Sequence, residues 1–448
     1  MRRPKGAGAF AAIWGGQFVS LLGSSMTGFA LSIWAWNFTG RATSLSMVAF
    51  FWVAPVVFLG PISGVLVDRW NRKTVLILSD LAAGVATIAI LILHLTGHLQ
   101  LWHLFAAALF EGAFHSFQYP AYSASITLLI PKKHYQRASG LVGMVGYGAG
   151  IIAPALTGFL LPVVDFEGVF AVDIVTFLVA IGMLLWVEIP QPERVPEPAG
   201  GPSFREELLE GFRFLRGRGF TGLLVVTSCV NFLMEFFVAL VSPSVLARTD
   251  SSEIALGTVM SSFGVGGVAG GGVLALWGGP KRKIHGLLLG GMLTMVAGAG
   301  AIGFGQNVFI WAGGAFLATF FFQFAVGGSH AIWQAKVPPA MQGRVFANRR
   351  MFGSMGEPLA KLMAGPLADY VFEPLMQTGQ PGAHLFGWLV GTGSGAGMGL
   401  LIGITAVLSV LVIGVAYFIP SIRDIEIRVP DHDEIPADPS AEMGTKSS

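Results

Sequence analysis

Glu111, His115, Gln118, Tyr122 and Ser125 follow one another at spacings of 4, 3, 4 and 3 inside an otherwise apolar run. On an α-helix that rhythm puts all five on one face. A carboxylate deep in an apolar helix costs about 2.5–3.5 kcal/mol on membrane-insertion scales, so it faces a partner or a cavity rather than lipid. The face therefore reads as a substrate or proton pathway, or else as a polar cluster stapling its helix to a neighbour. With an imidazole one turn away, Glu111 is the expected proton carrier. Glu235, one turn after Asn231 in another apolar run, is the competing one. Gln17 and Gln323 are further amide candidates. Glu357 and Lys361 stand four residues apart, where opposite charges pair along a helix; mutual neutralisation and substrate contact are both open readings.

Other matches carry no chemistry. Gly298, Gly300 and Gly303 have the spacing of a dinucleotide fingerprint, but they lie within an apolar run that lacks the preceding strand, so they are read as helix packing. His94, His98 and His103 are spaced loosely for a metal, yet they fall at a helix end and its loop, and no metal site is expected. A single cysteine, Cys229, excludes a disulfide scaffold and paired-cysteine zinc sites. There is no P-loop lysine, no His-Glu-x-x-His and no Gly-x-Ser-x-Gly. No cofactor is expected.

The elements that must position these groups are membrane helices. Of 448 residues, 53% are hydrophobic and 12% charged, and the mean hydropathy is +0.68. Soluble domains carry about a quarter charged residues, which excludes a soluble enzyme, a nucleic-acid binder and a disordered chain. Apolar stretches long enough to cross a bilayer fall near 10–36, 44–67, 75–97, 101–130, 138–162 and 168–189. A second six follow near 221–246, 254–278, 285–305, 308–336, 346–372 and 399–420. The expected class is an all-α membrane protein, with a six-helix bundle over 1–189, a linker over 190–220, a second bundle over 221–420 and a disordered acidic tail over 421–448. All of the 27 Lys and Arg except Arg41, Arg248 and Lys361 fall on one side of this arrangement. The excess of basic residues marks that side, with both termini, as cytoplasmic.

The halves echo each other. Setting Pro131 against Pro338 aligns Arg137 with Arg344 and Gly158 with Gly365, which is the pattern of a duplicated transporter. The loop after the second stretch reads Gly64-Val-Leu66-Val-Asp68-Arg69-Trp-Asn71-Arg72-Lys73. Gly64 is expected to allow close helix approach, Asp68 to end its helix and the basic cluster to pin the turn. Asn71 is expected to take a left-handed conformation, Asp80 to complete the charge network and Asp173 to be solvated. Gly146, Gly150, Pro154 and Gly158, at four-residue steps, make a helix-packing face.

This loop, with the duplication and linker, resembles the major facilitator superfamily, and the resemblance covers nearly the whole chain. Together with Arg344-Val-Phe-Ala and Ala364-Gly365-Pro366-Leu367-Ala368-Asp369, the glycine-rich fifth stretch resembles the branch of enterobactin-type siderophore exporters and macrolide-efflux proteins. The resemblance implies two pseudo-symmetric bundles and alternating access, with Asp68 and its basic neighbours gating the cytoplasmic side and stretches 1, 4, 7 and 10 lining a cavity. It implies proton-coupled efflux of an amphipathic small molecule from a monomer in the cell membrane, powered by the proton gradient. Substrate and lipid bilayer are the expected partners, without nucleic acid. Ala108 stands where many proton-coupled members carry an arginine, which leaves that coupling route without its residue. A nutrient importer, a lysolipid-handling protein and an intramembrane enzyme are the alternatives.

Overall fold

The structure, a computed structural model, describes residues 4, 6–131, 135–189, 212–216 and 219–431. Within them, the side chains of 61, 65, 68, 126, 127, 135–140, 142–147, 339, 340, 343 and 347 are not described. All regular structure among the described residues is helical. An apolar chain in a bilayer satisfies its backbone groups internally, and a helix does so within one segment.

The first half comprises α1 (Gly6–Thr39), α2 (Ala42–Arg69), α3 (Arg72–Leu95), α4 (Leu101–Leu129) and α5 (Tyr135–Trp186). The second comprises α6 (Thr221–Arg248), α7 (Glu253–Trp277), α8 (Lys283–Leu293), α9 (Gly300–Phe304), α10 (Val308–Lys336), α11 (Pro339–Ser354) and α12 (Gly356–Leu367). It continues with α13 (Glu373–Leu375), α14 (Pro381–Val390), α15 (Ala396–Phe418), α16 (Pro420–Arg423) and α17 (Ile425–Arg428). Each of the twelve expected apolar stretches is helical. Among the described residues, nine helical stretches are long and apolar enough to cross a membrane. The shortfall has physical causes. Two expected stretches run together in α5, bent at Asp165, where φ is 55°. α4 is diluted by its polar face, and α11 and α12 are separate helices that meet at Met355.

Turns π-helical over Thr294–Ala299 and Ala368–Phe372 join α8 to α9 and α12 to α13. Gly298 lies against Ala318, and Gly303 lies against Gly399 with its hypothetical Cβ 2.9 Å from that carbonyl. The glycine triplet therefore packs helices, as its membrane setting requires.

The apolar core is continuous at one end and divided at the other. Met26, Trp36, Leu45 and Phe170 of the first half share one cluster with Phe237, Leu256, Trp311 and Ala364 of the second. At the end carrying the basic loops, the clusters among the described residues are separate: Phe10, Val75, Leu129 and Leu184 in the first half, and Phe220, Leu288, Trp333 and Ile413 in the second. Among the described residues, the halves meet at the end opposite the basic loops. The two most extensive crossings between them are α5 with α7 and α2 with α12, and α6 also touches α1 and α2.

The chain beyond Pro420, expected to be a disordered tail, is folded as far as residue 431. Ile422 and Ile425 are buried in the second half's basic-end core. Glu426 caps α8 through the amides of Lys283 (3.0 Å) and Ile284 (2.9 Å), and Arg282 bonds Asp424 at 2.9 Å. Composition marked this segment as polar, whereas its two isoleucines three residues apart give it a buried face. Residues 432–448 and most of the linker lie outside the described residues.

Candidate functional site

α1, α3 and α4 converge on Asp80. Gln17 Nε2 donates to one carboxylate oxygen at 2.8 Å, and Gln118 Nε2 donates to the other at 2.7 Å. Gln118 also donates to Gln17 Oε1 at 3.1 Å, and its own carbonyl lies 3.1 Å from His115 Nδ1. The His115 ring packs against Trp52 of α2, with centroids 5.0 Å apart. Glu111, one turn from His115, makes no hydrogen bond or ion pair among the described residues. A second carboxylate, Asp173 on α5, accepts from Ser24 at 3.1 Å and from Thr87 at 2.8 Å.

These contacts revise two expectations. Asp80 is 2% exposed and belongs to the polar network inside the bundle instead of the cytoplasmic charge cluster; seven residues along a helix carry it about 10 Å inward from Lys73. Asp173 is 1% exposed, so hydroxyls take the place of the expected solvent.

The α4 face divides along its length. His115 and Gln118 enter the network. Tyr122 instead packs into the first half's basic-end core with its hydroxyl unpartnered, and Ser125 bonds back to the Ala121 carbonyl at 2.7 Å. Tyr122 is thereby a packing residue, because the face that is polar in sequence turns into the apolar core as the helix nears its end.

In the second half, α6 and α12 bring Glu235, Glu357 and Lys361 together. Lys361 Nζ donates to Glu357 at 2.8 Å and forms a short contact with Glu235. The expected Glu357–Lys361 pair is present, and Glu235 joins it as a third member. Asn231 is exposed one turn away, while Gln323 is half-buried on α10.

The loop motif is anchored within its own half. Arg72 donates to the Ala124 carbonyl at 2.8 Å, and Lys73 to those of Leu185 (3.1 Å) and Val187 (2.6 Å). Arg69 is exposed. Asn71 does not adopt the left-handed conformation: its φ is −69°, and its side chain caps α3 by accepting from Thr74 N. Among the described residues, a Cβ at Gly64 would meet nothing within 4 Å, so none of them makes a close helix approach there. The Asp68 side chain lies outside the described residues.

The packing face is likewise only partly used. A Cβ on Gly158 would stand 2.9 Å from the Glu253 carbonyl, and one on Gly257 2.8 Å from the Pro154 carbonyl, so Pro154 and Gly158 form the α5–α7 crossing. Gly150 faces open space, and the Gly146 position is not described.

Two features escaped the sequence reading. Asp369, in the π turn after α12, accepts from Ala42 N (3.0 Å), Thr43 N (2.7 Å) and Thr43 Oγ1 (2.6 Å), and so caps α2 from the other half. The available signal was an absence: α2 begins at Arg41, which supplies no side-chain cap. Arg248 spends its guanidinium on the carbonyls of Gly395 and Gly305, both at 3.0 Å, and thereby ties together helix ends of the second half.

Two helical halves joined at one end, each with a polar centre, have a known counterpart. The Major Facilitator Superfamily model matches residues 13–360. The chain belongs to the major facilitator superfamily. Macrolide efflux protein A of Streptococcus pyogenes is 27% identical over 377 residues, covering 81% of this chain and 90% of the relative. Enterobactin exporter EntS of Shigella flexneri is 26% identical over 348 residues, covering 75% and 79%. Among solved structures, a bacterial homologue of the human lysosomal transporter Spinster, inward-facing and unoccupied, has a TM-score of 0.67 at 15% identity, covering 96% of this chain and all of the other. This last likeness concerns the fold. The family and these relatives are transporters, so the chain is a multi-pass membrane transporter and not an enzyme.

Proposed function

We propose that this chain is a proton-coupled exporter that moves an amphipathic small molecule, such as a siderophore, macrolide or related metabolite, out of the cell as a monomer by alternating access. The observation that carries the reading is, among the described residues, the single core at one end against two cores at the other. A molecule entering between the halves is stopped by the shared core, and transport requires that core to part while the basic ends close. With the basic end and both termini cytoplasmic, the described conformation is the loading state of an exporter. Efflux in the named relatives supports the direction.

Opening at the far end must undo the α2–α12 crossing. Asp369 supplies two α2 amides with their acceptor, and Gly365 is seated against Thr43 and Ser46. Parting the halves replaces those bonds by water, which makes Asp369 a latch for the closed far end.

The proton is assigned to Glu111, a carboxylate with no hydrogen-bond partner among the described residues and one turn from His115. In reconstituted vesicles, Glu111→Gln is expected to lose transport driven by an imposed pH gradient while keeping substrate exchange, which needs no net proton movement. Unaltered gradient-driven transport in that variant, with the uncoupled phenotype appearing in Glu235→Gln, reassigns the proton to the second half.

A further inference from the structure

At the edge of the shared core, three charges meet whose sum is not zero. Glu235 and Glu357 share the single ammonium of Lys361, so the fully ionised group carries one negative charge in excess. The three side chains are unequally exposed: Lys361 8%, Glu235 26% and Glu357 30%. Lys361 is the most buried of the three, and the two acidic side chains are the more accessible ones.

Among the described residues, the surroundings offer apolar contact and no second cation paired with these acids. Phe232 lies against Gly356 and edge-on to Phe236, with centroids 5.3 Å apart. Phe236 and Ala360 belong to the shared core, which places the triad where that core ends and the halves diverge. In the facing half, none of the stretches 10–36, 44–67, 75–97, 101–130, 138–162 and 168–189 contains Lys or Arg. The Asp and Glu residues within those stretches, Asp80, Glu111, Asp173 and Glu188, are further acids.

We propose that Glu235 and Glu357 are the recognition site for a positively charged amphipathic substrate. Its cationic group balances the excess carboxylate, and its apolar body rests on Phe232 and the core edge. The inference rests on the exporter reading and adds to it the charge class of the cargo. An anion would meet two carboxylates at close range, and a neutral molecule would leave the excess charge uncompensated in a poorly solvated place. A cation is also favoured by the neighbouring aromatic face.

The test compares two rigid probes of the same size and opposite charge, tetraphenylphosphonium and tetraphenylborate, by equilibrium dialysis against the purified full-length protein at neutral pH. The phosphonium is expected to bind at least about tenfold more tightly, and Glu235→Gln and Glu357→Gln are each expected to lose about tenfold of that affinity. Glu235→Gln leaves Lys361 and Glu357 as a balanced pair, so its fold is expected to persist, and a thermal melt checks this. Equal or tighter binding of the borate overturns the inference, as does binding of neither probe. Wild-type phosphonium affinity in both variants also overturns it and assigns the balancing charge to a proton alone. The two readings fail separately: vesicles that expel neutral or anionic amphiphiles but no cation sink only the charge assignment. Vesicles that move no amphiphile, while Glu235-dependent phosphonium binding stays intact, sink only the exporter reading.

Discussion

Asp80 and Asp173 in the first half are held by Gln17, Gln118, Ser24 and Thr87, whereas Glu235 and Glu357 in the second half share an ammonium. The halves have one architecture and solve the same problem, a carboxylate away from water, by different means. Amides and hydroxyls stabilise a carboxylate in either protonation state, donating to it when ionised and accepting from it when protonated. An ammonium only donates, so it is matched by carboxylate acceptors and offers nothing to a protonated one. On the proposed reading the difference is a division of labour: the first half exchanges protons without losing its framework, and the second presents an excess carboxylate that a cation can meet.

The comparison breaks most visibly at Lys361. Lys361→Met leaves two half-buried carboxylates without their cation, and the expected destabilisation is about 3 kcal/mol, read as loss of monodisperse protein in detergent. Neutralising Glu235 and Glu357 as well should restore folding, while a triple variant as unstable as the single one would show that Lys361 acts through something other than charge. The matching change in the first half, Gln118→Leu, removes one neutral donor from Asp80 and is expected to cost about 1–3 kcal/mol in a thermal melt. A loss as large as that of Lys361→Met would erase the distinction between the halves.

Asp369→Ala comes next. Losing the cap costs about 0.5–2 kcal/mol, and because the cap spans the two halves, the cost should appear as a change of state rather than as unfolding. A cysteine replacing Leu45, in a protein with Cys229 replaced by Ser, should be alkylated several-fold faster in that variant. Unchanged alkylation removes Asp369 from the gate. The smallest effect is expected at Asp424, where hydrogen bonds from Arg423 and Arg282 hold the carboxyl down to about 2. A lowered folded pKa contributes stability that is fully present above the unfolded value of about 3.9 and is lost as pH falls toward 2. The melting difference between Asp424→Asn and the parent should therefore be small and flat between pH 5 and 8.

Helix positions were legible in the sequence because the bilayer demands long apolar runs, and these are one-dimensional facts. Helical faces were legible too, which is why His115, Gln118 and the Glu357–Lys361 pair were found. Periodicity says which side a residue occupies and leaves open which neighbour stands there. Asp80 was assigned to the loop because Lys73 is near in sequence, while its partners are 63 and 38 residues away. Tyr122 shared a face with His115 but not a depth, and Glu235 gave no sign of Lys361, 126 residues on. The Asp369 cap was invisible because its acceptor and donors lie 326 residues apart in different halves.

The central claim, that the halves rock about a single site, is tested most directly by spin-label distances at both ends of the reconstituted protein. One pair replaces Trp70 and Lys281, exposed residues at the basic end, and the other replaces Gln100 and Gln377, exposed at the far end. On imposing a pH gradient, the basic-end distance should shorten as the far-end distance lengthens, with the two populations changing in step. Both distances moving in the same direction, or neither moving while transport proceeds, would contradict alternating access.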